Sequence, residues 1–345
     1  MNGIDQVNSM IKKLKIINFK SLKNISINCR KVNIFIGEPN TGKSNLLETL
    51  GFVSWIYTKD GIMKEYVRMK STYELFNNFT VTSPIEIDIN KFHFGIKHVK
   101  KNYEVTLPGK TYIVDGKGEY KETKTKETVM QKKVMNEVSV PREPETFPMN
   151  IELYKFLKNT DYKQESEKSE YLETPFGSNL FKVILTNDVV RKSVAELISE
   201  FDMILNINIF ENNIEVLKES ELGGFTAFNF DLLSDTIKSV IFYSTAILSN
   251  DNSVLIFEEP EEKNFPYYSK VLAELIAEDD SNQFFIVTHN PYFLQTLIEK
   301  TDMSQIRVNI AYLENHETKI KQLNQSQISK LLKSDPFFEL ELLIP

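Results

Sequence analysis

The chain has 345 residues, 41% of them hydrophobic and 26% charged, with 24 phenylalanines, a composition that offsets chain entropy by burial and excludes a disordered, collagen-like or low-complexity protein. Its length exceeds one ordinary domain and equally fits a single large α/β domain with insertions. Forty-one basic against 48 acidic side chains leave a net charge of −7, which excludes a protein that coats nucleic acid over its whole surface.

Cys29 is the single cysteine and the histidines are His93, His98, His289 and His316, so neither an internal disulfide nor a zinc-ligand cluster is expected. The amino-terminal stretch lacks the apolar core of a leader, and no apolar run reaches the roughly 18 residues of a membrane span. A cytoplasmic protein without a membrane partner is expected.

From Lys12 to Ile36 the pattern predicts two strands. Leu14, Ile16 and Ile17 run into an Asn18-Phe19-Lys20-Ser21 corner, and Val32 to Ile36 is a short apolar run ended by glycine, as in a buried strand. Lys43 to Tyr57 then carries Leu46, Leu47, Leu50, Phe52, Val53 and Ile56 at helical spacings.

From about Pro84 the period becomes two. Ile85, Ile87 and Ile89 alternate with Glu86 and Asp88, Phe92, Phe94 and Ile96 with His93, Gly95 and Lys97, and Tyr103, Val105 and Leu107 repeat the pattern. An antiparallel lobe follows, with turn chemistry at Asp115-Gly116 and Gly118. Between Lys91 and Lys133 eleven lysines stand against five acids, so the lobe is basic and the remainder acidic. Those lysines read either as a solvated hairpin face or as a track for a nucleic-acid backbone.

Pro141, Pro144 and Pro148 mark a connector, and Lys163 to Glu173 a charged, solvated run. One helix is predicted from Leu180 to about Phe201. Leu205, Ile207 and Ile209, a turn at Asn212-Asn213, and Ile214 with Val216 make a hairpin. A helix from Ser234 to Leu248, the strand Ser253 to Phe257, a helix from about Tyr267 to Ala277 and the strand Phe284 to Val287 complete the pattern. Strands alternating with helices predict a mostly parallel sheet covered on both faces.

Gly37-Glu38-Pro39-Asn40-Thr41-Gly42-Lys43-Ser44 matches GxxxxGK[ST] in full, between a predicted strand and a predicted helix. The glycines let backbone N–H groups and the helix N-terminus face phosphate oxygens. Lys43 supplies a point charge to the β and γ phosphates, and Ser44 offers its hydroxyl to Mg²⁺. Val254 to Glu259 sets Glu258 and Glu259 at the C-terminal end of an apolar strand, where open α/β sheets bind ligands. Glu258 would hold Mg²⁺ through water, and Glu259 would orient or deprotonate the attacking water. Glu261 and Glu262 read as surface charge. Phe284 to Asn290 is a further strand with a polar end, from which His289 reaches toward a γ-phosphate.

With IKKLKIINFKSLKNISINCRKVNIFIGEPNTGKSNLLETL, IFEEPE and FFIVTHNPYFL in that order, the chain resembles the RecF/SMC-like branch of ABC-type ATPases. It is more closely similar to the prokaryotic AAA-type ATPases related to the nucleotide-binding half of OLD (overcoming lysogenisation defect) proteins. The resemblance covers roughly residues 12 to 55 and 225 to 345. It implies an α/β P-loop NTPase with an ABC/RecF-like head, an inserted antiparallel β lobe and a helical lid. The expected division is 1–55 and 226–345 for the head, 56–140 for the lobe, and 141–225 for the lid with its hairpin.

The resemblance further implies two heads sandwiching two ATP molecules with Mg²⁺ in a homodimer or higher homo-oligomer. Phosphate binding falls to Gly37, Asn40, Thr41, Gly42 and Lys43, metal to Ser44 and Glu258, the catalytic base to Glu259 and the switch to His289. Where an LSGGQ-like signature is expected, Leu232 to Lys238 keeps Ser234 but has no glycine pair. Ser234 reads either as a contact to the opposite head's nucleotide or as a plain N-cap. The metal-binding Gln of the pattern has Gln131 and Gln164 as candidates without context. None of the five arginines, Arg30, Arg68, Arg142, Arg191 and Arg307, is assignable as an arginine finger. The 56 residues after His289 are too few for the Toprim nuclease of OLD proteins, so a separate effector is expected.

Three functions follow. The first is an ATP-hydrolysing dimeric switch in phage defence or DNA maintenance. The second is a nucleotide-gated assembly module with little turnover, and the third a RecF-like factor that contacts DNA through the 91–133 lobe. The apolar run Phe337 to Ile344 is expected to pack on its own head.

Overall fold

A computed structural model describes residues 10–58, 62–100, 102–114, 120–122, 147–158, 160, 162, 170–208, 213–332, 337 and 340–344. The chain begins with β1 (Lys13–Phe19), β2 (Leu22–Asn28), β3 (Val32–Ile36), α1 (Lys43–Tyr57) and α2 (Met63–Tyr66). It continues through β4 (Ile85–Ile89), β5 (Phe92–Val99), β6 (Asn102–Leu107), β7 (Lys110–Val114), β8 (Tyr120–Glu122) and β9 (Asn150–Tyr154). Next come α3 (Leu180–Thr186), α4 (Asp188–Ser199), β10 (Met203–Asn208), β11 (Asn213–Glu219), β12 (Phe225–Asn229) and α5 (Asp235–Ser249). The last elements are β13 (Ser253–Glu258), α6 (Pro266–Glu278), β14 (Gln283–Val287), α7 (Pro291–Lys300), β15 (Ile306–Glu314), β16 (Glu317–Gln322) and α8 (Gln325–Leu331).

Five parallel strands in the order β15-β3-β14-β13-β9, with antiparallel β16 outside β15, form the central sheet. Every residue of β3 and β14 is buried, as their continuous apolar runs require of strands covered on both faces. Successive side chains go to opposite faces. Val32, Ile34, Ile36, Leu255, Phe257, Phe284 and Ile286 join α3 to α7 in one core. Phe35, Val254, Ile256, Phe285 and Val287 join α1 and the antiparallel sheet in the other.

That antiparallel sheet has the order β2-β1-β4-β5-β6-β7-β8. The period-two strands from residue 84 onward therefore extend β1 and β2, with Leu14 opposite Ile89 and Ile16 opposite Ile87. Between Lys12 and Ile36 three strands form instead of the predicted two. β2 pairs with β1, Ile16 facing Ile25, but exposed Lys23 and Asn24 interrupt its alternation and hide it from a period-two reading. The predicted helix from Leu180 to Phe201 is two helices. Asn187, extended at φ −103° and ψ 109°, breaks them and caps α4 by accepting from the N–H groups of Val189 and Val190. β12 adds a third strand to the hairpin of β10 and β11, and the pattern before it had marked no such strand.

Of the lysine-rich stretch, Lys91, Lys97 and Lys100 are exposed. Lys101, Lys117, Lys124, Lys126, Lys132, Lys133, Gln131, Arg142, Gln164 and the Asp115-Gly116 turn lie outside the described residues. Phe337, Leu343 and Ile344 pack against the first core and Leu340 joins it, so the described part of the carboxy-terminal run docks on its own head. Among the described residues no helix is long and apolar enough to cross a membrane.

Candidate functional site

β3 delivers the chain into the phosphate loop, where Gly37, Asn40 and Gly42 take φ values of 145°, 62° and 91°. Side chains rarely adopt these angles. Space is as restrictive as angle. A Cβ on Gly37 would lie 2.2 Å from the Ala311 carbonyl oxygen of β15, and one on Gly42 2.4 Å from Thr318 Oγ1 and 2.6 Å from Ser21 Oγ. The loop is thus clamped by strands from the other end of the chain. Thr318 Oγ1 and Asn45 Nδ2 each donate to Ser21 Oγ at 2.8 Å.

Inside the loop, Thr41 Oγ1 donates to the Glu38 carbonyl at 2.8 Å. Lys43, 5% exposed, donates from Nζ to the carbonyls of Gly37 at 2.8 Å and Glu38 at 2.6 Å. Burial lowers its pKa, and the charges of Glu259, Glu258 and Glu38 oppose that shift. Ser44 follows it on the first turn of α1, partly exposed.

β13 ends at Glu258. Glu259 turns out of the strand with φ 47° and is pinned by its own N–H, which donates to the Val287 carbonyl of β14 at 2.9 Å. His289 Nε2 lies 3.5 Å from Glu259 Oε1. Burial first, then Glu258 and Glu262, raise the Glu259 pKa, while Lys43 and Arg68 pull it down. Burial and the Lys43 charge depress the His289 pKa, which leaves its imidazole neutral near pH 7. Asn290 then caps α7, accepting from the N–H groups of Tyr292 and Phe293, so His289 is held between a strand end and a helix start. The ring of Phe337 lies 6.1 Å from its ring, centroid to centroid.

Arg68 comes to this site unannounced by the sequence. Its Nε donates to Glu48 Oε1 at 2.5 Å and an Nη lies 3.7 Å from Glu258 Oε1. Glu48 is 2% exposed, sits four residues after Ser44 on α1, and binds Lys20 Nζ through its other oxygen. The one signal was a carboxylate among buried helix positions, which needs cationic partners. Where those partners lie, no spacing tells.

Glu261 corrects the reading of surface charge, since it is 3% exposed. Thr288 Oγ1 donates to its carboxylate, and among the described residues its Oε2 has no partner. Glu262 is exposed. Burial pushes the Glu261 carboxyl up to about 7 from an ordinary 4.5. The native state therefore keeps a proton that the unfolded chain releases near 4.5, and this group's contribution to stability falls as pH rises through that window. Glu261→Gln is expected to gain up to about 3 kcal/mol on the wild type between about pH 4.5 and about pH 7. Denaturation of both proteins across that range is the check, and a constant difference would refute it.

Ser234 caps α5, accepting from the Ile237 N–H at 3.4 Å, and is exposed. Its bond is to its own helix, and none joins it to the phosphate loop or to the carboxylates. Beside it, Asp235 pairs with Lys158 at 3.1 Å and Thr236 Oγ1 donates to the Lys263 carbonyl at 2.7 Å. The structure thus brings Lys43, Glu258, Glu259 and His289 into electrostatic contact at the ends of neighbouring strands and leaves Ser234 on an outer face.

Neither a protein-family model nor a curated protein sequence matches this chain. Solved structures do. The SmcHead bound to the C-winged helix domain of ScpA aligns with a TM-score of 0.54 at 14% identity, over 92% of this chain and 99% of that one. The Smc head domain with an extended coiled coil, bound to the C-terminal domain of ScpA derived from Pyrococcus furiosus, aligns with 0.52 at 12% identity, over 94% and 98%. At these identities the likeness is one of fold, that of an α/β P-loop NTPase head.

Proposed function

We propose that the chain is a Mg²⁺-dependent ATPase of the ABC-like kind whose heads dimerise around ATP and whose nucleotide state switches a separate partner. The observation that carries this reading is the convergence of Lys43, Glu258, Glu259 and His289 at the ends of β3, β13 and β14, with Glu259 and His289 3.5 Å apart.

Gly37, Asn40, Thr41, Gly42 and Lys43 hold the phosphates through backbone N–H groups and the ammonium. Ser44 and Glu258 offer a hydroxyl and a carboxylate, the hard oxygen set that Mg²⁺ shares with phosphate and water. Both groups are only partly buried, so they fit the ion. Bound between them, Mg²⁺ would neutralise charge on the phosphate oxygens. Glu259 accepts the proton of the attacking water, and its raised pKa makes it a better base than an ordinary carboxylate. Neutral His289 donates to the terminal phosphate and registers its loss. Ser234, exposed at the start of α5, serves the nucleotide of the opposite head.

The two similar SMC heads are each bound to part of ScpA, and by analogy a distinct protein docks on this head. Phage defence or DNA maintenance is the setting that the OLD-like resemblance suggests, with DNA contact through the 91–133 lobe as a further part of the proposal. The test is phosphate release with Mg²⁺ and ATP across protein concentration. Specific activity is expected to rise with concentration and to vanish in Lys43→Ala. Equal turnover in Lys43→Ala would sink the ATPase reading. Tight ATP binding without turnover would favour the nucleotide-gated assembly module.

A further inference from the structure

β9 is the strand beside β13, and no motif marked its end. In the parallel register Tyr154 pairs with Phe257, so the next residue, Lys155, falls in step with Glu258. Residues in register point to the same face of a sheet. Phe257 and Tyr154 belong to the core on the α5 side, which sends Glu258 and Lys155 to the other face, the one α1 covers with Lys43 and Ser44. Adjacent strands are about 4.8 Å apart, so the two side chains leave the sheet about one strand spacing from each other. Lys155 lines one cleft with Glu258, Glu259, Tyr243 and Lys263.

The ammonium of Lys155 is arranged like that of Lys43. Lys43 donates to two loop carbonyls, and Lys155 donates to two carbonyls at the end of α2, Glu65 at 2.9 Å and Tyr66 at 3.4 Å. Among the described residues neither lysine is in an ion pair. Both are half-buried or deeper, both have their pKa lowered by burial, and Glu258 opposes the shift in each. A charged donor on neutral carbonyls gains from a charged oxygen, since charge-assisted hydrogen bonds are roughly twice as strong as neutral ones. The cleft is also lined by Glu262 and, from α5, by Ser239, with Lys155 and Lys263 as its two cations, so an anion that reaches Glu258 and Glu259 meets Lys155 on the β9 side.

We propose that Lys155 is a second phosphate-binding lysine, whose ammonium exchanges a carbonyl of α2 for an oxygen of the terminal phosphate of a nucleoside triphosphate. The proposal deepens the ATPase reading and rests on it. The terminal phosphate is specified because Lys155 stands in step with Glu258 on the neighbouring strand, the carboxylate assigned to the reacting end, while the loop holds the inner phosphates. The exchange also ties the phosphate to α2 and, two residues beyond its last turn, to Arg68.

The test is equilibrium binding of ADP and of a non-hydrolysable ATP analogue, with Mg²⁺, to wild type, Lys155→Gln, Lys155→Met and Lys155→Arg, with each variant's thermal midpoint measured beside it. Lys155→Gln and Lys155→Met are expected to weaken the triphosphate about tenfold or more and ADP by no more than about twofold, with Lys155→Arg recovering most of the loss. Equal weakening of both nucleotides, as expected of a lysine that only holds α2 in place, would overturn the proposal. So would unchanged triphosphate binding. Wild type that binds neither nucleotide, with Lys43→Ala no different, would instead remove the ATPase reading itself and this proposal with it.

Discussion

Glu259→Gln is expected to lower phosphate release roughly 10²- to 10⁴-fold, the usual contribution of a positioned general base, while ATP binding changes no more than a few-fold. Glutamine keeps the shape of the side chain, so the backbone turn at φ 47° and the N–H bond to Val287 survive. It also keeps an oxygen within reach of His289. What disappears is the ability to take a proton. The carboxylate's removal further relieves repulsion with Glu258 and Glu262, which together with burial raises the Glu259 pKa in the wild type, so binding of the anionic nucleotide has no cause to weaken. Single-turnover phosphate release beside equilibrium ATP binding separates the two effects. A variant that hydrolyses within about threefold of the wild type would show that another group activates the water.

Gly37→Ala is expected to destabilise the fold by about 2–6 kcal/mol and to abolish nucleotide binding. Part of that is angular, since φ 145° is strained for any side chain, a cost of about 1–3 kcal/mol. The rest is steric. The new methyl would stand 2.2 Å from a backbone oxygen of β15, and β15 cannot retreat without losing its pairing with β3, in which Ile310 faces Ile36. Overpacking of this kind adds typically 1–3 kcal/mol. Gly223→Ala is the matched control. Its φ of 85° is also left-handed, but a Cβ there meets nothing within 4 Å, so only the angular cost applies. Urea denaturation of the three proteins is the measurement, and equal midpoints for the two variants would show that β15 does not hold the loop.

How much of this could be read beforehand depends on whether the information is local. The strand of Val32 to Ile36, the loop, the α1 helix and the strands ending at Glu258 and Val287 all announce themselves within short windows. A buried parallel strand is a continuous apolar run, and a phosphate loop is a fixed spacing of glycines and lysine. β2 escaped because Lys23 and Asn24 break its alternation. The single helix from Leu180 failed at Asn187, where a side-chain cap outweighs an uninterrupted apolar pattern.

The site divides along the same line. Lys43, Ser44, Glu258, Glu259 and His289 were legible because each follows a strand whose end is a ligand position. Arg68 was one unassigned arginine of five, and Lys155 one lysine among many, until β9 was found beside β13 and Glu48 was found between Arg68 and Lys20. Glu261 read as surface charge because its chain neighbours are acidic, yet Thr288, 27 residues away, closes over it.

The sequence by itself determined the glycine-lysine loop, the acidic strand end, the histidine at the next strand end and the alternation of strands with helices, since all depend on residues within one turn or one strand of each other. Only the tertiary structure decided that β14 lies between β3 and β13, that β15 and β16 make the glycines of the loop obligatory, and that Arg68 and Lys155 face Glu258. Those contacts join segments up to hundreds of residues apart, and the burial that drives them is non-directional, so the partner each strand end meets is set by how the sheet assembles and not by its neighbours in the chain.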